Sequence, residues 1–200
     1  MSLEAKTELR VKLKSQLSNI PKENKAALSG SILNHFITSK LWAQTSHIMI
    51  FAPLPSEPDL LHLLPLAYQT GKTIYLPRVD GNHLKSYKIS DASELKNSTL
   101  GVREPDPALH EELNPLAIDI VITPGLAFDH SGMRLGKGAG YYDRFFSESR
   151  HPLKIGCFYE CQLVESVPAE KHDVAMDYLL SEKGLRKTDC DHHYTSKVPY

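Results

Sequence analysis

The chain is poor in cysteine, in long apolar runs and in surplus charge of either sign. Its three cysteines, Cys157, Cys161 and Cys190, are too few and too unevenly spaced for a disulfide scaffold or a Cys-x-x-Cys redox pair. They read as thiols of a reducing compartment. No stretch of about 18 apolar residues is available to cross a bilayer. The opening MSLEAKTELR lacks the apolar heart of a signal peptide, so the expected location is cytoplasmic. Lys and Arg number 23 against 24 Asp and Glu, a net charge of −1, which argues against coating nucleic acid or an anionic membrane. No internal repeat and no Gly/Ser-rich linker divides the sequence. What remains is 200 residues with 41% hydrophobic content, enough to bury a core without a staple. The expected organisation is one domain over residues 1–188 and a flexible polar tail over 189–200.

Periodicity supplies the elements. Leu9, Leu13 and Leu17 recur at helical spacing until Asn19-Ile20-Pro21 interrupts them, and Ala27, Ile32, Leu33, Phe36 and Ile37 mark a second helix. His47–Phe51 is short, apolar and followed by prolines, as expected of a strand. Ser56 and Asp59 have capping-box spacing, predicting a helix through Leu60, Leu64 and Ala67 that closes at Gly71. Thr73–Leu76 reads as a strand stopped by Pro77, and His83–Ile89 as another. Residues 101–115 are rich in proline and acid and are expected on the surface. Ile118–Thr123 is the clearest buried strand; a glycine-rich loop, a helix from about Tyr141, and strands at Lys154–Phe158 and Tyr178–Leu180 follow. Strands alternating with helices predict an α/β fold, a three-layer α/β/α sandwich with a largely parallel, Rossmann-like sheet.

In such sheets ligands bind beyond the carboxyl ends of the strands. There the strand 118–123 delivers residues 124–140, in which Gly132, Gly136, Gly138 and Gly140 are four of the protein's eleven glycines. Alternate glycines leave consecutive amides unshielded, and at a helix N-terminus such amides form an anion cradle. Arg134 and Lys137 add positive charge, so phosphate is the natural guest. A plain turn with two solvated cations is the competing reading. A Walker A loop is excluded because Gly138, not Ser or Thr, follows Lys137, and the spacing 136-138-140 is not Gly-x-Gly-x-x-Gly. There is no Gly-x-Ser-x-Gly elbow, the ten histidines show no zinc spacing, and Asp189–His193 reads as polar tail.

The string RLGKGAGYYDRF, preceded by ITPGLAFDHSG, closely resembles the signature of the 5-formyltetrahydrofolate cyclo-ligase family. Further matches occur in the family's order: Lys6–Arg10, Pro55–Asp59, Ile74–Arg78, Gly101–Pro105 and Val167–Asp173. The resemblance implies an ATP- and Mg²⁺-dependent ligase that turns 5-formyltetrahydrofolate into 5,10-methenyltetrahydrofolate; no nucleic acid, membrane or obligate protein partner is expected. Carried over by position, it implies ATP binding by Lys6, Arg10 and the segment Arg134, Leu135, Gly136, Lys137, Gly138, Ala139, Gly140, Tyr141 and Tyr142. Arg134 is also the implied catalytic residue. Folate contacts fall on Ala52, Glu57 and Tyr141, and Mg²⁺ ligands on Asp143 and Asp173. Lys137, where the family varies, either meets phosphate or shapes the loop. The i,i+4 spacing of Lys6 and Arg10 puts both on one helix face. His172-Asp173 is also the residue pair of an HD phosphohydrolase, but the further helical His and Asp ligands of that site are missing. A binding protein without turnover, or a phosphosugar isomerase or deaminase on a similar scaffold, are the alternatives from other classes.

Overall fold

A computed structural model describes residues 3–98, 101–148, 152–170 and 172–189. Cys190 and nearly all of the expected tail lie outside the described residues. Helices α1 (Leu3–Ser18), α2 (Lys22–Ile37) and α3 (Lys40–Gln44) precede strand β1 (His47–Met49). Helix α4 (Leu63–Gln69) leads to β2 (Thr73–Asp80) and β3 (His83–Ile89). Short strands β4 (Lys96–Asn97), β5 (Arg103–Glu104) and β6 (Glu112–Leu113) cross the next segment. Then come β7 (Ile120–Thr123), β8 (Ala127–Phe128), β9 (Arg134–Leu135), α5 (Tyr141–Glu148), β10 (Leu153–Cys157), β11 (Tyr178–Ser181) and β12 (Gly184–Lys187).

Eight strands form one sheet in the order β12-β11-β10-β7-β1-β2-β3-β6. From β11 to β2 the pairing is parallel, while β12, β3 and β6 add antiparallel at the edges. Both faces are covered, which is why the central strands are nearly continuous apolar runs. Ile48, Ile74, Leu76, Ile120, Ile122 and Ile155 point to the face packed by α2 and α4. Met49, Tyr75, Val121 and Leu179 point to the other, where Phe145 and Phe146 of α5 pack. This is the predicted three-layer architecture. Helix α1 bridges two clusters. Leu17 joins the α2 side of the core, and Leu13 packs on Ala127, Leu135 and Val167 beneath the glycine-rich segment.

Several expected boundaries shift for physical reasons. The helix expected from Ser56 and Asp59 starts at Leu63, with no capping box at Ser56. Asp59 Oδ1 accepts the Leu61 N–H instead, two residues on. A helix begun near Asp59 would hold Pro65 in its interior, whereas a start at Leu63 leaves Pro65 in the first turn, where no donor is needed. Pro77 does not stop β2. The carbonyl of Tyr75 faces β1, accepting from Ile50. Pro77, two residues on, faces the same side, but β1 registers no further than Tyr75, so the missing N–H leaves no ladder bond unmade. Ala27, expected on the apolar stripe of α2, is exposed. The glycine-rich segment, expected as loop, contains the hairpin β8–β9, and β12 goes beyond the last predicted strand.

Candidate active site

The chain leaves β1 toward one sheet face, through α4, and leaves the adjacent β7 toward the opposite face, through α5. The two outgoing loops part at the carboxyl ends of this strand pair, the topological switch point where α/β sheets open a crevice. A cleft of about 310 Å³ lies there. The loop after β1 contributes Ala52 and Glu57, the β2–β3 hairpin Val79 and Leu84, and the segment around β5 Glu104. Arg134 to Asp143 closes the cleft as a ribbon. On the far side of that ribbon is a second pocket, of about 390 Å³, reached by Lys6, Arg10, Glu170 and Asp173. Arg134, Gly136, Ala139, Gly140 and Asp143 border both spaces. One ribbon therefore divides a largely apolar cleft from a charged pocket.

Arg134 is the pivot of this wall. Its side chain is 3% exposed; the guanidinium lies over the Tyr142 ring at 5.4 Å and donates from Nη2 to Asp143 Oδ1 at 2.9 Å. Nε and Nη1 are buried with no protein partner. A buried charged donor without a partner costs more than a neutral hydrogen bond returns, so Nε and Nη1 are free to receive an anionic acceptor. The ribbon ends at α5, whose first ladder bond runs from the Arg144 N–H to the Gly140 carbonyl. The amides of Tyr141, Tyr142 and Asp143 precede it and add the partial positive charge of a helix start. The donor set fits a polyphosphate.

Lys6 and Arg10 of α1 both reach the charged pocket, as their spacing predicts. Arg10 Nε donates to the Gly136 carbonyl at 3.1 Å. Lys6 Nζ stands 2.8 Å from Asp173 Oδ2 and 3.3 Å from Glu170 Oε2. Burial disfavours the Lys6 ammonium, yet the hydrogen bonds to Asp173 and Glu170 outweigh it and raise the pKa above the usual lysine value. Burial likewise opposes ionisation of Asp173, but the hydrogen bonds it accepts from Lys6 Nζ and from the Glu170 N–H reverse the balance, lowering its pKa. Asp143 is brought beside Asp173 because its Oδ1 also accepts the Val174 N–H at 3.3 Å. Two carboxylates from distant segments thus face one pocket, a donor set that suits a hard divalent cation shared with phosphate oxygens. Glu170, His172 and Asp173 hold potential ligand atoms within 4.8 Å of one another. His172 is exposed and the segment that carries it is not helical, so the helical frame of an HD site is absent around this pair.

Within the expected ATP-binding string the structure makes a division. Leu135, Gly136, Gly138, Ala139 and Gly140 border the charged pocket, whereas Lys137, Tyr141 and Tyr142 line the apolar cleft. Lys137 Nζ forms an ion pair with Glu57 Oε1 rather than facing the charged pocket. Glu57 Oε2 accepts the Leu54 N–H at 2.9 Å, and the side chain is 7% exposed. Residues that the motif reading passed over also build the site. Arg144 stacks on Tyr141 at 5.1 Å and ties the Ala139 carbonyl to that of Asn82. The Arg144 position ends the YYDR string, a signal available in sequence. Glu104 is buried with Oε1 receiving the Val79 N–H at 3.3 Å; it lies in the family-matching segment Gly101–Pro105, which by itself does not say that the side chain reaches the cleft.

The family model described as the 5-formyltetrahydrofolate cyclo-ligase family matches residues 2–182. A Caenorhabditis elegans protein named probable 5-formyltetrahydrofolate cyclo-ligase is 30% identical over 194 residues, covering 90% of this chain and 93% of that one. The Escherichia coli K12 5-formyltetrahydrofolate cyclo-ligase is 32% identical over 134 residues, 64% of this chain and 74% of the bacterial one. The solution structure of Aquifex aeolicus 5,10-methenyltetrahydrofolate synthetase superposes with a TM-score of 0.81 at 31% identity, covering 95% and 98% of the two chains.

Proposed function

This chain belongs to the 5-formyltetrahydrofolate cyclo-ligase family of enzymes, and from that premise we propose that it closes 5-formyltetrahydrofolate to 5,10-methenyltetrahydrofolate at the expense of ATP, with Mg²⁺ held by Asp143 and Asp173. The observation that carries this reading is the shared wall: Arg134 and Asp143 border both the apolar cleft and the charged pocket. A folate in the cleft and a triphosphate in the pocket would meet across it.

The chemistry calls for such a meeting. A formamide oxygen is too poor a leaving group for attack by the N10 amine to expel it. Transfer of the γ-phosphoryl group from ATP to that oxygen forms an O–P bond, releases ADP and makes the formyl carbon electrophilic. N10 then adds to that carbon, the C–O bond breaks, and inorganic phosphate departs as N10 loses its proton. Both reacting nitrogens belong to one bound molecule, so ring closure gains the advantage of held proximity. The protein's part is orientation and charge balance.

Arg134 would supply that balance, since Nε and Nη1 are buried donors awaiting an acceptor. Lys6, Arg10 and the amides from Leu135 to Gly140 would hold the phosphates. Glu57 offers a buried carboxylate to the adjacent N–H donors of a pterin, a charge-assisted pairing. Ala52 and Tyr141 would form apolar walls beside it. A bound Mg²⁺ would neutralise phosphate charge, with Asp143 and Asp173 as its protein ligands. The test is a mixture of protein, 5-formyltetrahydrofolate and Mg²⁺ to which ATP is added while the near-ultraviolet absorbance of the methenyl product is followed. ATP-dependent growth of that band is expected, and its absence would overturn the catalytic reading.

A further inference from the structure

The two sides of the ribbon are held by contacts on consecutive residues. On the charged side, Arg10 Nε donates to the Gly136 carbonyl at 3.1 Å. On the cleft side, the next residue, Lys137, places its ammonium on Glu57. Lys137 is 42% exposed at the side chain, and Glu57 is 7% exposed. The lysine therefore comes from the more open ribbon to a carboxylate already fixed by the Leu54 N–H, and by the Glu57 carbonyl accepting the Tyr159 hydroxyl at 3.1 Å. Glu57 and its loop are anchored on the cleft side, and the Lys137 ammonium reaches them from the ribbon.

From this pairing we propose that Lys137 is a positioning residue that couples the charged pocket to the apolar cleft. The inference rests on the functional reading above. An anion in the charged pocket competes for the Arg10 guanidinium and orders the ribbon amides, and so sets the backbone at Gly136 and Lys137. That setting decides how the Lys137 ammonium meets Glu57. Glu57 Oε1 and Oε2 each receive one donor from the protein. A carboxylate oxygen accepts about two bonds, so acceptor capacity remains for a ligand. Nucleotide on one side then prepares the carboxylate that reads folate on the other, and by linkage folate must tighten nucleotide by the same factor.

The experiment titrates 5-formyltetrahydrofolate calorimetrically into the full chain, with and without a saturating non-hydrolysable ATP analogue and Mg²⁺. The readout is the ratio of the two folate affinities. For the unaltered protein a ratio of roughly 5 to 10 is expected, the lower part of the usual coupling range. Lys137→Met should bring the ratio close to 1, and Lys137→Arg, which keeps the charge, should restore most of it. A merely structural lysine would weaken folate binding equally in both titrations and leave the ratio intact. Coupling that survives in Lys137→Met overturns the proposal, as does folate binding in the unaltered protein that ignores the nucleotide. If the unaltered protein binds no folate at all, the functional reading itself fails, an outcome distinct from uncoupled binding.

Discussion

The two ends of the parallel strands treat carboxylates differently. At the amino ends, Asp119 Oδ2 accepts the backbone N–H groups of Ser46 and His47, both at 2.8 Å. Asp177 Oδ2 accepts the Lys154 N–H at 2.7 Å and Nζ at 2.9 Å. These acids splice one strand start to the next. At the carboxyl ends, Asp143, Asp173 and Glu57 each accept one backbone N–H and are each also paired with a side-chain cation, Arg134, Lys6 and Lys137 in turn. A backbone amide stays where the fold puts it. A side-chain cation can turn to another anion, leaving its carboxylate free for a metal or a donor. At the carboxyl ends all three acids have such an exchangeable partner and all three line the two pockets, whereas Asp119 and Asp177 line neither.

The largest effect that would sharpen this contrast is on turnover. Asp143→Asn keeps an acceptor for Arg134 but removes the charge a cation would need. Turnover is expected to fall by about 10²- to 10³-fold, the scale of losing one electrostatic contact to a reacting centre. Calorimetric affinity for 5-formyltetrahydrofolate should stay within a few-fold. A parallel collapse of both would show that Asp143 holds the ribbon together and no more.

Asp119→Ala should do the reverse. It strands two amide donors at the start of β1, each worth about 1–3 kcal/mol when buried without a partner, less where water reaches them. In a chain of this length each lost kcal/mol lowers the melting temperature by roughly 2–4 °C. The melting point measured by calorimetry should drop by several degrees, with kcat per folded molecule unchanged. A fall in kcat without one in stability would erase the distinction between the two ends.

Legibility in sequence follows the same divide. The core strands were readable because Ile118–Thr123 and its neighbours are short, β-branched apolar runs bounded by turn residues, and that combination names a strand. The ribbon was readable through its glycines and cations, whose chemistry is local. What could not be read depends on partners far along the chain. Pro77 continues a strand because β1 has already ended beside it, and Glu104 reaches the cleft from an edge segment. By its place in the motif Lys137 either meets phosphate or shapes the loop. Which side of the ribbon it faces is set by Glu57, 80 residues away, and no spacing rule carries that information.

A smaller effect concerns pH. Asp173 has a lowered pKa in the fold, so its pairing stabilises the protein above the usual carboxylate value and is lost as pH falls through the lowered one. Lys6 has a raised pKa, so its share is present below the usual lysine value and is lost only as pH rises through the raised one. Between about pH 5 and 10 neither group titrates. The stability difference between the unaltered protein and Lys6→Met, from urea unfolding, should therefore be flat from about pH 5 to 9 and shrink below about pH 4. A slope near neutrality would mean that another group controls this pair.

The smallest effect separates glycines that the sequence presents as one set. Gly132 has φ +86°, and an added Cβ would stand 2.3 Å from the Met176 carbonyl. Its bareness serves the fold, because the β8–β9 turn packs directly against that backbone. Gly136 has an ordinary backbone, and an added Cβ would meet no atom within 4 Å. It borders both the cleft and the charged pocket, so its bareness serves whatever approaches the ribbon. Gly136→Ala should leave the melting temperature within about 2 °C, since an Ala for Gly exchange without strain is worth only about 0.4–1 kcal/mol and favours the fold. The same substitution should weaken nucleotide affinity several-fold in a calorimetric titration, because a methyl group then stands among the amides. Unchanged affinity would place the phosphates away from Gly136 and move the binding surface toward the α5 end of the ribbon.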